Sequence, residues 1–177
     1  MNAMGVSVRQ LTAEEAYGCN AALCDVLIDC VHGGASVSFM APLHDVKAQD
    51  FWRGVADGVA RGDRVLLVAE DAAHGIIGTV QVVFAQPENQ PHRADIAKML
   101  VHRRARRRGV GGLLMQAGEA VALAAGKTVL VLDTATGSDA ERLYRRMGWN
   151  RVGEVPDYAL WPDGRLCSTT YYYKAIG

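Results

Sequence analysis

The stretch RRARRRGVGG, residues 103 to 112, has arginine at five of its first six positions and glycine at three of its last four. These residue types suit a phosphate-bearing ligand. Arginine supplies charge-assisted N–H donors, and glycine lets a ligand come close to the backbone. Apolar residues at 110, 113, 114, 117, 121 and 124 recur at helical spacing, so a helix over 109–126 starts at the glycines. Its first turn brings unpaired N–H groups and a positive dipole end, which hold an anion without any side chain. Two other readings compete, a nucleic-acid patch and a solvated charge run. A nucleic-acid surface wants basic residues spread along a face with aromatics among them. This stretch has no aromatic, and the formal net charge of the chain is zero. No Gly-Lys-Ser/Thr follows, and the glycine spacing is not G-x-G-x-x-G, so neither nucleotide fingerprint applies. A pyrophosphate cradle is the favoured reading.

Two carboxylates stand out beside it. Asp133 interrupts the apolar run VLVLDT at the carboxyl end of a strand, the end where ligands of parallel sheets collect. It suits a counter-ion for an amine or a base. The bland alternative is a cap on the turn 134–138. Asp95 lies near the start of the strand that leads into the arginine segment. Its bland alternative is a solvated strand-end carboxylate.

The elements that must position these residues read as follows. VSVRQLT (6–12) alternates as a strand. Residues 13–31 read as a helix with Thr12 and Glu15 at capping-box spacing. The Gly- and Ser-rich 32–42 is a loop, and 44–62 a second helix. RVLLVAED (64–71) and GIIGTVQVVFAQ (75–86) form a hairpin. Strand 94–102 and helix 109–126 follow. Strand 127–135 is nearly all apolar, as a buried parallel strand is. Helix 138–148 has Ser138 or Asp139 as N-cap and Gly148 as its stop. WNRVGEV and TTYYYKAI close the chain as strands, with TYYYK read as a structural edge. The order β-α-α-β-β-β-α-β-α-β-β implies an α/β (or α+β) fold, with a mixed, mostly antiparallel sheet and helices on both faces.

Composition narrows the class. Half of the 177 residues are hydrophobic and 21% are charged, which fits one packed domain over 1–177 rather than a disordered chain. The cysteines at 19, 24, 30 and 167 have no Cys-x-x-Cys spacing and read as reduced thiols. The histidines do not cluster, so no metal is expected. The N-terminal MNAMGVSVRQ has no apolar signal core, and no apolar run approaches the roughly 18 residues that span a bilayer. The expectation is a cytoplasmic protein with no membrane or nucleic-acid partner.

The segment V-H-R-R-A-R-R-R-G-V-G-G resembles the coenzyme A motif of the GNAT N-acetyltransferases, Arg/Gln-x-x-Gly-x-Gly/Ala after a strand, over Arg106 to Gly111. The flanking strand, long helix, next strand and tyrosine-bearing helix follow in that family's order. Within the family the chain is similar to the tabtoxin resistance acetyltransferases, a branch that acetylates a β-lactam amino-acid toxin. VHGGASVSFM (31–40), KMLV (98–101), LDTATGS (132–138), RVGEVPDY (151–158) and PDGRL (162–166) carry that likeness.

The resemblance implies a GNAT fold and direct transfer of acetyl from acetyl-CoA to an amine. Backbone N–H groups of Arg107, Arg108, Gly109, Val110, Gly111 and Gly112 would hold the pyrophosphate, beside Arg106. Met99, Leu100 and Val101 would pair with the pantetheine arm. An alkylammonium is only about 0.04% neutral at pH 7, so a base helps. Asp95 falls where some family members carry a glutamate base, and it needs burial or a water relay to serve. Tyr144, in AERLYRRMGW, falls where members hold the acid that protonates the departing thiolate. Many members have Asn seven residues before that tyrosine. This chain has Gly137, with Ser138 as a possible substitute contact. His32, Gly33, Ser36 and Phe39 form the expected substrate loop, with Tyr158 and Trp161 opposite. The implied acceptor is a small-molecule amine, possibly a toxin or antibiotic such as tabtoxinine-β-lactam. Protein N-terminal or lysine acetylation and a non-catalytic acetyl-CoA sensor stay open, as do monomer and homodimer.

Overall fold

The computed structural model describes residues 5–177. Residues 1–4, part of the stretch read as lacking a signal core, lie outside it. Seven strands run β1 (Val6–Leu11), β2 (Arg64–Asp71), β3 (Gly75–Phe84), β4 (Arg93–Val101), β5 (Val129–Ala135), β6 (Asn150–Leu160) and β7 (Leu166–Ala175). The helices are α1 (Ala13–Gly18), α2 (Asn20–His32), α3 (Asp45–Ala60), α4 (Val110–Ala124) and α5 (Asp139–Arg146). The sheet order is β1-β2-β3-β4-β5-β7-β6. Every pairing is antiparallel except β4 with β5. That parallel pair is joined through α4, the expected crossover.

Two apolar layers sandwich the sheet. Leu66, Val68, Ile76 and Leu100 pack with α1–α3 through Leu23, Leu27, Trp52 and Val55. Leu67, Ile77, Val80, Val82, Ala94 and Ile96 pack on the opposite face with Leu114 and Met115 of α4 and Tyr144 of α5. The alternation along β2 and β3 sends successive side chains to these two layers. Helices therefore flank both faces, as the order of elements predicts.

Three readings need correction. The helix over 13–31 is two helices, broken at Cys19 (φ −90°, ψ 7°) just after Gly18. Thr12 and Glu15 do form the capping box, but it starts a helix of only six residues. TYYYK is not an edge, because β7 lies between β5 and β6 and the edges are β1 and β6. Ser138 is the N-cap residue of α5, yet its side chain makes no capping bond. Glu141 instead reaches back to the Gly137 N–H (2.6 Å). At the other end Gly148, at φ +78°, stops α5 as expected. Trp149 N–H donates to Tyr144 and Gly148 N–H to Arg145, the Schellman pattern.

Cys24, Cys30 and Cys167 are buried and Cys19 half-buried, all as free thiols. Among the described residues, no helix is long and apolar enough to cross a membrane.

Candidate functional site

The arginine–glycine segment divides into two parts. Arg103–Ala105 forms a 3-10 turn, then the chain runs extended at Arg106 and left-handed at Arg107 (φ +60°) and Gly109 (φ +78°) before α4 begins. Arg106 N–H donates to Arg103 O, and Leu113 N–H to Gly109 O. Among the described residues, no protein acceptor is found for the N–H groups between them, 107 to 112. Such a run at a helix start is an anion cradle. Gly109 is required by its φ. At Gly111 an added Cβ would come within 3.1 Å of Leu143 Cδ2 and 3.5 Å of Met99 Sδ. The first turn of α4 is thereby seated between β4 and α5.

The arginines have other work. Arg103 binds Asp29 on α2 through its backbone N–H and its Nε, both at 2.8 Å. Arg104 reaches Asp25 (3.2 Å), and Arg108 reaches the buried Asp71 (2.9 Å). Arg106 Nε donates to the Val101 carbonyl at 3.2 Å. Arg107 alone of the five has no side-chain partner among the described residues. Four of the five arginines thus clasp the loop to the rest of the protein, contacts that the expectation of arginines tuning a backbone cradle does not include.

Next to the cradle the sheet opens. β4 and β5 pair only at Arg93–Val129, Ala94–Leu130 and Asp95–Val131. From Ile96 onward β4 has no partner on that side, while β5 stays on β7 through Ala135. Met99, Leu100 and Val101 border this wedge and lead directly into the cradle. The residues present fit a coenzyme A-type ligand: the backbone edge suits an amide-bearing arm, and the unpaired N–H run suits its phosphates.

Asp133 lies on β5 at the wedge and is exposed. Thr169 Oγ1 donates to its Oδ2 at 3.4 Å. Exposure removes the desolvation cost that a carboxylate in an apolar run would otherwise imply. Its charge acts on Lys98, Tyr144 and Tyr171, and Tyr171 is its direct partner on β7. Tyr144 is 5% exposed and packs on Trp149 and Tyr172. Burial, then Asp133, raises its phenol pKa well above the usual value. Asp95 is 40% exposed and paired with Arg93 at 2.5 Å. Burial therefore does not make it a base. Tyr171 OH donates to Tyr158 OH (3.0 Å), and the Tyr171 pKa is pushed up to about 12 by that bond first, then by burial and by Asp133 and Asp95.

The loop after α2 joins this region to the β6–β7 turn. Ser36 Oγ donates to Leu160 O (2.9 Å), and Ala41 N–H to Pro162 O. Trp161 anchors that turn through backbone bonds with Arg165 and Gly164. Phe39 is buried edge-on to Phe51. His32 Nε2 accepts the Leu43 N–H (3.1 Å), and Gly33 packs against the Arg103 side chain. His32 instead lines a cavity of about 510 Å³ with Asp25, Asp29, His102 and Arg103. That cavity contains none of Asp95, Asp133 or Tyr144. Tyr158 thus meets Tyr171, the β7 partner of Asp133, while Ser36, His32 and Gly33 brace the loop against its neighbours. Ser138 Oγ lies 3.3 Å from Thr134 Oγ1 at the far lip. Sequence reasoning missed Lys98, Ser38 and Tyr171. Alternation in TYYYK was visible, but its phase depends on the register Asp133–Tyr171.

A family model for the acetyltransferase (GNAT) domain matches residues 62–151. The fold is shared with an N-acetyltransferase from Staphylococcus aureus Mu50 at TM-score 0.80 and 16% identity, covering 97% of this chain and 99% of that one. A putative acetyltransferase from Salmonella typhimurium with its cofactor acetyl-CoA is similar at TM-score 0.78 and 16% identity, covering 97% and 94%. A phosphinothricin acetyltransferase from Sinorhizobium meliloti in complex with acetyl-CoA gives TM-score 0.77 and 15% identity, covering 98% and 90%. The family model spans the strands, the cradle and the tyrosine-bearing helix just described. The chain belongs to the GNAT family of N-acetyltransferases.

Proposed function

We propose that the protein is an acetyl-CoA-dependent N-acetyltransferase, formed by the chain as one domain, that acts on the amine of a small molecule. The observation that carries this is the unpaired N–H run 107–112 at the end of a strand already parted from its neighbour, with Asp133 on β5 two residues past the last β4–β5 pair. Acetyl-CoA is the donor and supplies a thioester open to attack by an amine. The N–H groups of 107–112 hold its pyrophosphate, and the free edge at Met99–Val101 aligns its arm. Binding these remote groups positions the reacting carbonyl.

Asp133 holds the incoming ammonium and takes its proton directly or through water. Asp95, tied to Arg93, contributes through water within the same opening. Tyr144 stays protonated because of its burial and its negative neighbour, so it has a proton to give to the departing thiolate. Ser138 supplies a hydroxyl near the position that many relatives fill with Asn. Ser36, Phe39, Tyr158 and Trp161 wall the acceptor side.

The small-molecule reading rests on the segments that resemble the tabtoxin resistance branch, since similar folds include one named for a small-molecule acceptor and one named for ribosomal-protein alanine. A β-lactam amino acid such as tabtoxinine-β-lactam is the first acceptor to test, in line with the segments that resemble the tabtoxin resistance branch. We read the protein as cytoplasmic and as a monomer or homodimer. Thiol release from acetyl-CoA is measured against a panel of amines led by β-lactam amino acids and amino-sugar antibiotics. Acceptor-dependent release is expected. Tight acetyl-CoA binding with no release for any amine would leave a sensor instead.

A further inference from the structure

Four residues other than glycine adopt a left-handed backbone: Ser38 (φ +78°), Lys98 (φ +48°), Arg107 (φ +60°) and Asp157 (φ +52°). Such conformers are costly and persist where the surroundings impose them, often at ligand sites. Arg107 is in the phosphate cradle, and Asp157 immediately precedes Tyr158. The other two touch each other, because Lys98 Nζ donates to Ser38 Oγ at 3.0 Å across 60 residues.

Lys98 is placed by a bulge. Thr79 pairs with Leu100 and Gln81 with Ala97, so β4 carries one extra residue there. The buried Thr79 hydroxyl donates to the Lys98 carbonyl at 2.9 Å and pins it. The bulge turns the lysine toward the loop and α3, where Nζ lies 5.9 Å from the centre of the Phe51 ring. Bulges beside active sites commonly re-aim a side chain in this way.

Among the described residues, nothing neutralises this ammonium at contact distance. Lys174 has Glu119 at 2.7 Å, whereas Lys98 forms no ion pair among the described residues. Burial, opposed by Asp133 and assisted by Arg64, pulls its pKa down. The cation is therefore partly stripped of water and carries one hydroxyl partner; Lys98 lies three residues past the last β4–β5 pair on β4, and Asp133 two residues past it on β5. A half-buried cation without a counter-ion is a place where a ligand's negative group gains most.

We propose that Lys98 and Ser38 form a carboxylate subsite in the acceptor pocket, so that the acceptor is a zwitterion of the amino-acid class. Lys98 holds its carboxylate while Asp133 holds its amine. This rests on the N-acetyltransferase reading and goes beyond it by naming the recognised group and the residue that selects it. The two charges of the pocket match the two charges of the acceptor, and a diamine or a plain amine leaves Lys98 without a partner.

The test compares L-amino acids with their own α-carboxamides as acceptors, for the wild type, Lys98→Met and Lys98→Arg. The amide keeps the shape and removes the charge. The wild type is expected to favour the acids by about 10- to 100-fold in kcat/KM, mostly through KM. Lys98→Met should lose that preference, with the acids falling far more than the amides and the acetyl-CoA Kd held, and Lys98→Arg should restore part of it. If acid and amide react alike in the wild type, or Lys98→Met weakens both equally, the subsite is wrong and the acetyltransferase reading stands. If the wild type acetylates no amine, both readings fall.

Discussion

The proposed donor wall of the cleft, from Arg107 to Gly112, offers backbone N–H groups, whereas the acceptor wall offers the side chains of Lys98, Asp133, Tyr158 and Tyr171. The first needs a particular path of the chain and is nearly indifferent to side-chain identity. The second needs particular groups brought from β4, β5, β6 and β7. A backbone wall suits a donor shared by many relatives, and a side-chain wall suits an acceptor that differs among them. Even the arginines fit this contrast, since most of them fasten the donor wall to α2 and to the β2–β3 turn.

Substitutions can separate the two walls. The largest effect is expected from Tyr144→Phe, which removes the proposed acid where the walls meet. Its kcat should fall by roughly 100-fold or more, with the acetyl-CoA Kd within about twofold by titration. Unchanged turnover would remove Tyr144 from the chemistry. Gly109→Asp comes next. It forces a side chain into the left-handed region and sets a carboxylate at an anion site, so acetyl-CoA affinity should drop on the order of 100-fold. Arg103→Ala should change that affinity by no more than about threefold, its partner being Asp29. The reverse ranking of these two would mean that side chains, not backbone, hold the phosphates. Asp133→Asn tests the other wall: kcat/KM for the acceptor should fall about 10-fold or more, while acetyl-CoA titrates as in the wild type.

The smallest effect concerns the clasp. Asp71 is held down to about 2 by Arg108 first, and also by His74. A carboxyl depressed in the folded state adds stability above its unfolded pKa and loses it as pH falls through the folded value. Thermal melts should therefore show a loss of Tm between about pH 4 and 2 that Asp71→Asn lacks. Equal slopes for both proteins in that window would leave the clasp without weight.

The donor wall was legible in the sequence because it is local. Strand, loop and helix start follow one another within a score of residues, and the glycines and the 3.6-residue stripe locate the helix end that binds anions. Asp133 stands out because it interrupts an apolar run, and Tyr144 because the family resemblance puts the acid at its position. The misreadings share a different cause. TYYYK was taken for an edge because strand order is not written in alternation, and only the placement of β7 between β5 and β6 turns Tyr171 toward Asp133. Lys98 goes unremarked within the strand 94–102, because a bulge depends on how two strands pair. His32 is placed in the substrate loop by the family resemblance, whereas its Nε2 accepts the Leu43 N–H.

The sequence by itself determined the elements, their order, the anion-binding turn and the family to which they point, since periodicity, caps and glycine positions act over a few residues. Only the tertiary structure decided where β4 leaves β5, which arginines are already engaged and which side chains meet at Asp133. Those outcomes depend on register and packing between segments up to 79 residues apart, where one residue of slip moves a side chain to the opposite face.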